Sequence, residues 1–550
     1  MKKSFTIALL FLIFDALFTY AQYPDNFTFI KVPDLLSGTN PPYLLVNQAL
    51  PNLGEPFFDL RFGTMITRTT EANYIHGRHE YSRFDPFNKD KSMIILDPDA
   101  LWNIYSTNSF PYNQPSNLIT TINLEEPRWD RNDKNLIWGT EEFAIMLVNV
   151  ATGQTTVVKD FSLDPIISPI IDQGKVYRIT MKDEGESSID KRYWAFFLQG
   201  NEQVDYNQLY IFTWDKDNDS VLGLYKIAAN EKKLDWIGMS PLGNWILIGG
   251  DYDNGGNLAG LTMANKELTQ FHRLDYTTAH SDVALDIAGN EVIIMQNTMT
   301  DYIDLIPIDL QTQPILEAGG SYNNTNRSPL IRLFYSNESP FGLQSGVHIS
   351  CNVPGYCVVS TYIEPGIQEQ NWLDRTIIMV RLDSQNPEAY YLAKLYTTVG
   401  SYWEETQATI SNDGSKVVWA SNWGQNVGNE QVFLMQLDMP SNWKELITSI
   451  SDKQEKKSDR YRLNQNYPNP FNSTTTIQYQ LSKSSHVWLK IFDVIGRHVK
   501  TLVDKKQTVG SYSFHWDARN ELGKDVASGV YFYQLHTENF VKSRKMLLLR

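Results

Sequence analysis

The sequence predicts an all-β fold: a β-propeller, most simply of seven blades, followed by a small C-terminal immunoglobulin-like β-sandwich. Three observations predict it. Helical periodicity is almost absent from residues 23–448, which instead carry short β-branched and aromatic runs broken by Asn, Asp and Gly. One phrase recurs there, a polar turn that feeds an apolar strand at once. The last 90 or so residues alternate apolar and polar positions in short runs, as half-buried strands do.

Taken in order, the chain opens with Lys2 and Lys3, an apolar run from Phe5 to Phe18, and Ala21 before Gln22. A basic start, an apolar stretch and a small residue make residues 1–21 a signal peptide. Asp15 interrupts the run, which is shorter than the roughly 20 apolar residues of a bilayer span. No later segment is apolar enough to span, so no transmembrane span is expected in the mature chain.

Residues 22–448 form the propeller body. The recurring phrase stands at Pro86–Leu96, Trp129–Trp138, Ser240–Ile248, Asp286–Ile294 and Ser411–Trp419. Tight hairpins need residues that tolerate positive φ, and the strands that follow are buried between sheets. Companion hairpins read at Leu147–Gly153, Tyr302–Leu310 and Gln431–Leu437. Lys91 to Lys134 and Gly243 to Gly289 are one blade apart, and the longer gaps hold two or three blades each. Seven blades fit best; six or eight are compatible, and a two-sheet sandwich explains the repeat poorly.

Residues 449–460 have one apolar residue, Ile450, and read as a linker. Beyond it lie strands at Thr474–Leu481, His486–Phe492, Ser511–Trp516, Gly529–His536 and Phe540–Leu549, with turns at Asp504–Gly510 and Glu521–Lys524. Residues 461–550 are therefore a separate domain. Charge agrees: residues 460–550 carry +8 (14 basic, 6 acidic), the rest of the chain −23 (34 basic, 57 acidic). An acidic body excludes nucleic acid as a general partner and weighs against polyanionic glycans.

The hydrophobic share of 42% is ample for packed cores, which excludes wholesale disorder. The two cysteines, Cys351 and Cys357, flank a turn sequence and could pair as a disulfide across a hairpin; the alternative is two buried thiols. No Cys/His spacing resembles a zinc site, and phosphate loops and nucleophile elbows are absent. Asp215–Asp219 and Asp251–Gly256 have alternating carboxylates that could hold Ca²⁺, without the full twelve-residue loop. Asn26, Asn218 and Asn326 fit the glycosylation acceptor rule. Tyr402, Trp403, Trp419 and Trp423 would suit stacking on sugar rings if exposed, and otherwise fill space between blades.

Three tail motifs, Tyr467-Pro-Asn-Pro-Phe-Asn472, Val494-Ile-Gly-Arg497 and Gly529-Val-Tyr-Phe-Tyr533, precede Lys545-Met-Leu-Leu-Leu-Arg550. The pattern, with Tyr467, Pro468, Asn469, Pro470, Gly496, Gly529 and Tyr531 as its marks, resembles the C-terminal sorting domain of type IX secretion in Gram-negative bacteria. That resemblance implies passage through the periplasm, the type IX machinery at the outer membrane as partner, and a secreted or cell-surface body from which the domain is removed. An ordinary immunoglobulin-like appendage is the alternative.

In the body, the segments starting at His79, His280 and His348, and Glu405–Gly414, resemble secreted seven-bladed propellers related to oligogalacturonate and ulvan lyases. The resemblance implies a polysaccharide lyase or a glycan-binding relative, acting on an extracellular polysaccharide. Elimination from a uronate needs a base, an acid for the leaving oxygen, and a cation at the carboxylate. On that logic His79 or His280 is the base, Tyr81 or Tyr362 the acid, and Arg78 or Arg83 the neutraliser, with His348 beside them. Each histidine can equally be a structural hydrogen-bonding group at a blade turn. The resemblance further implies a divalent metal near the last blade, where the chain offers Glu404, Glu405 and Gln407 and no histidine. Whether the chain is an enzyme stays open at this level, against a non-catalytic surface propeller that binds protein partners.

Overall fold

In the computed structural model, described residues run over 22–447 and 462–549 apart from short internal stretches, the longest being 251–257, 310–325, 334–344, 364–371 and 425–431. The signal peptide and the linker at 449–460 lie outside the described residues. The chain divides into two units, 1–443 and 444–550.

Among its described residues the first unit contains seven antiparallel sheets that follow one another along the chain. Four consecutive strands build a typical one, as in Glu125–Trp129, Leu136–Glu141, Ala144–Asn149 and Gln154–Asp160. The strands within each sheet follow sequence order except in the sixth and seventh, where strands from the start of the chain add to the edge; in the sixth, Ile30–Lys31 pairs with Glu388–Lys394. The first sheet, starting at Met93–Leu96, has three strands, and an isolated bridge from Phe87 to Ile94 stands where a first strand would be. The seventh sheet takes only Thr409–Ile410, Lys416–Ser421 and Phe433–Asp438 from the end of the unit. Its next strand is Met65–Arg68, with Met435 opposite Arg68 and Leu437 opposite Ile66. The start and the end of the unit therefore share a sheet.

The recurring phrase is the first turn of a sheet. At Asn88, Ser188, Ser240 and Ser411 the residue donates its N–H to the carbonyl five positions on, and accepts that residue's N–H on its side-chain oxygen. Asp286 does the same four positions on, with Asn290. Short polar side chains that satisfy local backbone groups make these turns self-contained. The left-handed position falls on Lys91, Lys191, Gly243, Gly289 and Gly414 in turn, all with φ between 60° and 83°. Each turn then releases a strand such as Ile246–Gly250 that is buried along its whole length. Aromatic side chains fill the space between the second and third sheets, where Phe161, Phe196, Phe212 and Trp214 pack with ring centroids 4.8–6.2 Å apart. Full burial of a side chain of this size contributes roughly 1.5–3 kcal/mol.

The second unit is a two-sheet β structure, with strands Arg462–Leu463, Thr475–Leu481 and Gly510–Trp516 in one sheet and four in the other. The second sheet has Ser485–Asp493 and Gly529–Thr537 at its centre, and His498–Gln507 and Phe540–Leu548 at its edges. The turn expected at 504–510 is thus mostly strand. Its polar run Asp504-Lys-Lys-Gln507 belongs to an edge, where charge on the open side is tolerated and discourages further pairing. Pro468, Asn469 and Pro470 are exposed, and the Asn469 side chain accepts the Leu547 N–H at 2.8 Å. Gly496 (φ 80°) closes the turn after Asp493, Gly529 begins a central strand, and the buried Tyr531 donates its hydroxyl to the Ala527 carbonyl. Tyr467 lies outside the described residues.

Candidate functional site

Segment 78–86 has no regular structure because its partners come from other sheets. Tyr81 packs edge-on against His348, with centroids 5.6 Å apart. Glu80 takes the Arg128 guanidinium at 2.9 Å, and the same guanidinium lies 3.3 Å from the Phe84 ring centroid. Phe84 accepts the Thr409 hydroxyl, and Asp85 accepts the Asn412 N–H. Arg83 reaches the fourth and fifth sheets. Its guanidinium meets the Glu184 carboxylate at 3.0 Å, the Glu184 carbonyl at 3.0 Å and the Ser281 hydroxyl at 3.2 Å, and lies 4.4 Å from the Trp236 ring centroid. One stretch of chain thereby touches elements of the second to seventh sheets.

The three predicted histidines converge beside it. His280 directly precedes the strand Ser281–Leu285, and His348 sits within Ser345–Val353; their ring centroids are 4.9 Å apart. His79 is close enough to His348 for their charges to interact. Glu405, just before Thr409–Ile410, holds His348 Nε2 at 2.7 Å. With that carboxylate ionised, Nε2 carries the proton and Nδ1 keeps its lone pair, and Nδ1 has no partner in the structure. Tyr362 stacks on His348, at 5.7 Å and 28°. The strand pairing sets Gly346 opposite Tyr362, and a Cβ at 346 would fall 1.9 Å from the tyrosine ring, which reserves the position for glycine.

Burial holds His79 down to about 3, and the positive charge of Arg78 adds to it. His280 is also held at about 3, by burial first and then by His348 and Arg83. Both are neutral near pH 7, each with one N–H and one lone pair to offer. His79 and His348 are sealed from solvent, whereas His280, Tyr81 and Arg78 keep part of their surface open. Beneath them, burial pushes the Asp282 carboxyl up to about 7 against the pull of Arg83 and of the N–H groups of Cys351 and Val283.

The structure brings His79, His280, His348, Tyr81, Tyr362 and Arg83 together, but it removes Arg83 as a free neutraliser. Its guanidinium is committed to Glu184, Ser281 and Trp236 at 5% exposure. The expected metal ligands do not assemble either. Glu405 is taken by His348, Glu404 and Gln407 are buried, and among the described residues no three His, Cys, Asp or Glu side chains could hold one ion. Cys351 and Cys357 are free buried thiols in hydrogen-bonding contact across the hairpin, not a disulfide; burial first, then this contact, raises the Cys351 thiol. Asp215, offered as a calcium ligand, is used by Arg192 at 2.9 Å and by Asn218, while 251–256 lies outside the described residues. Trp419 is buried and Trp423 stacks on Tyr396 at 4.2 Å, so neither is free for a sugar; Tyr402 and Trp403 lie outside the described residues.

Sequence reasoning missed Glu184, Trp236, Asp235 and Ser281. Of these only Ser281 was signalled, as the neighbour of a chosen histidine.

Comparison with known proteins gives the following. Residues 465–539 match the FlgD Ig-like domain. No curated protein matches the chain. Among solved structures, the chain is similar to oligogalacturonate lyase from Vibrio parahaemolyticus, at 11% identity over 71% of this chain and 97% of that one, with a TM-score of 0.44. It is similar to an oligogalacturonate lyase in complex with manganese, at 10% identity over 71% and 97%, with a TM-score of 0.45. It is also similar to FlgD from P. aeruginosa, at 28% identity over 14% of this chain and 57% of that one, with a TM-score of 0.12.

Proposed function

We propose that the first unit is a closed seven-bladed propeller that handles an extracellular glycan at its axis, as a glycan-binding or polysaccharide-lyase-like protein. Closure is supported by contacts between the inner strands of successive sheets. Glu126 accepts from Thr180, Met181 accepts from Ile237, Asp282 accepts from Cys351, and Asn352 donates to Ile410. Asn412 then donates to Asp85, and Trp129 donates to Pro86, which leads back to the second sheet. The pairing of Met65–Arg68 with Phe433–Asp438 would be the latch.

The observation that carries the functional reading is the meeting of His280, His348, Tyr81, Tyr362 and Glu405, brought from distant parts of the chain to one place. Partly open rings beside neutral imidazoles suit the hydroxyls and C–H faces of a sugar. For elimination, His280 would take the proton and Tyr81 would supply one to the leaving oxygen. The cation such a step needs at a uronate is not supplied by Arg83, which is engaged, and this favours binding over elimination. The test is a panel of polysaccharides assayed for binding and for the absorbance of unsaturated products. Binding lost in His280→Ala supports the proposal, and product release assigns the lyase branch. Neither binding nor product across the panel would favour the second reading, a propeller that docks protein partners.

We further propose that the C-terminal unit is a type IX sorting domain and that the body reaches the cell surface or medium. Deleting residues 461–550 should strand a folded body in the periplasm; undiminished export of the truncated chain would refute this.

A further inference from the structure

Two tyrosines stand apart from the axial cluster. Tyr177 and Tyr206 are 47% and 52% exposed, and among the described residues no other tyrosine or tryptophan is as open. Their rings meet edge to face, with centroids 6.1 Å apart. They come from separate elements of the third sheet. Tyr177 lies in its first strand, Val176–Thr180, and Tyr206 in the loop between Tyr193–Gly200 and Gln208–Asp215.

Irregular backbone presents both rings. Val176 pairs with Gly200 and Arg178 with Gln199, so Tyr177 is the extra residue of a bulge, which re-aims its side chain. Tyr206 has φ 54° and follows Asp205 at φ 55°, a region that is costly for a bulky side chain. The loop is built to hold it there. Gln203 and Tyr206 donate their N–H groups to the Asn201 side chain and carbonyl, and Asn201 donates to the carbonyls of Gly174 and Lys175. A Cβ at 200 would fall 2.2 Å from Val204, which reserves that position for glycine and lets the loop close. Gln199 donates to the Tyr206 carbonyl at 3.1 Å and accepts from Arg178 at 2.7 Å. Rings half open to water bury little apolar surface, so packing does not account for the strain at Tyr206.

Strands of these sheets alternate in direction, so the start of a first strand and the loop after a second strand lie at one end. His280 directly precedes the first strand of the fifth sheet. In the proposed closed propeller the two tyrosines therefore open on the same face as His280. We propose that Tyr177 and Tyr206 form a clamp for a linear, uncharged polysaccharide, a second binding site on that face. The shared face rests on the propeller reading; the clamp does not. Two rings at a steep angle offer a platform and a side wall to a pyranose, whose C–H face stacks on one of them. The same two segments expose Asp172, Glu202 and Asp205 against Lys175, which disfavours a carboxylate-bearing chain.

The test is native electrophoresis of the full chain in gels holding glucomannan, polygalacturonate or serum albumin. Glucomannan should retard the parent protein, and Tyr206→Asn should weaken that interaction about three- to tenfold. Asparagine tolerates the left-handed backbone, so the unfolding midpoint of this variant should match or exceed the parent's. Tyr177→Ala should weaken binding comparably, and Tyr206→Trp, which keeps a ring, should retain it. His280→Ala separates the two sites. Binding kept in His280→Ala and lost in Tyr206→Asn supports the clamp; the reverse overturns the clamp and leaves the axial glycan reading standing. No retardation by glucomannan, or stronger retardation by polygalacturonate, overturns the proposal. Equal retardation by serum albumin makes the pair a protein-docking patch and overturns it as well.

Discussion

Arg83→Leu should destabilise the first unit by about 3–5 kcal/mol, read as a lower midpoint in urea unfolding. The guanidinium is 5% exposed and meets a carboxylate, a carbonyl and a hydroxyl from two other sheets, with the Trp236 ring beside it. Its removal strands Glu184 beside Asp183 and Asp235 with no compensating charge. Glu184 is 30% exposed and can regain some water, which sets Arg83→Leu toward the lower end of that range. Glu184→Gln should fall toward the upper end, because the charge left unpaired is then the buried one. The comparison is Arg178→Leu: Arg178 pairs with Glu125, but the two side chains are 22% and 37% exposed and the carboxylate left behind can regain water, so the loss should cost no more than about 1 kcal/mol. Equal losses at Arg83 and Arg178 would mean that segment 78–86 does not tie the sheets together. The size of the expected loss also explains why Arg83 is better placed as a structural hub than as a ligand contact.

The contrast between these two arginines shows which features the sequence makes legible. Turns were legible where their chemistry is local. Ser240, Asp286 and Ser411 each satisfy a backbone N–H four or five residues away, and a glycine marks the left-handed position. The same turn at Ser188–Tyr193 escaped notice: Lys191 holds that position with φ 60°, as Lys91 does in the turn read at Asn88, but Ser188-Ile-Asp-Lys-Arg-Tyr193 carries neither Gly nor Asn. The histidines were legible because His79, His280 and His348 each head a segment with a recognisable resemblance; the structure then sets His280 directly before a first strand and His348 within one. Glu184 was not, because its partner is 101 residues away and nothing near it in sequence reports the contact. The commitment of Arg83 could not be read for the same reason: a guanidinium's availability depends on tertiary neighbours, which a linear pattern does not contain. The edge strand His498–Gln507 was obscured by its own charge, since one open side removes the apolar alternation by which inner strands are recognised.

His79→Leu should stabilise the protein at neutral pH and impair ligand binding. The imidazole is buried with neither nitrogen partnered, and a buried polar group left unsatisfied costs about 1–3 kcal/mol. Leucine of similar volume removes that cost. The gain should depend on pH. His79 is held at about 3 in the folded chain against 6.5 for an ordinary histidine, so unfolding takes up a proton below pH 6.5. Stability linked to this group is full above about pH 6.5 and is lost as pH falls toward 3, by up to about 1.4 kcal/mol per pH unit. Asp85 and Asp282 act in the opposite sense. Burial lifts both to about 7, so their contribution is full below the ordinary 3.8 and is lost as pH rises through 7. In the parent protein His79 and His280, both held at about 3, oppose these two acids between about pH 4 and 6.5, and the profile should be shallow. In His79→Leu the acids are left more exposed in the balance, and the variant should grow more stable relative to the parent as the medium is acidified. Unfolding midpoints across that window measure the difference directly. A variant less stable than the parent at neutral pH would show that the nitrogens are satisfied and His79 is structural. A variant more stable yet unable to bind glycan would show that the fold sustains an unsatisfied imidazole because the site uses it.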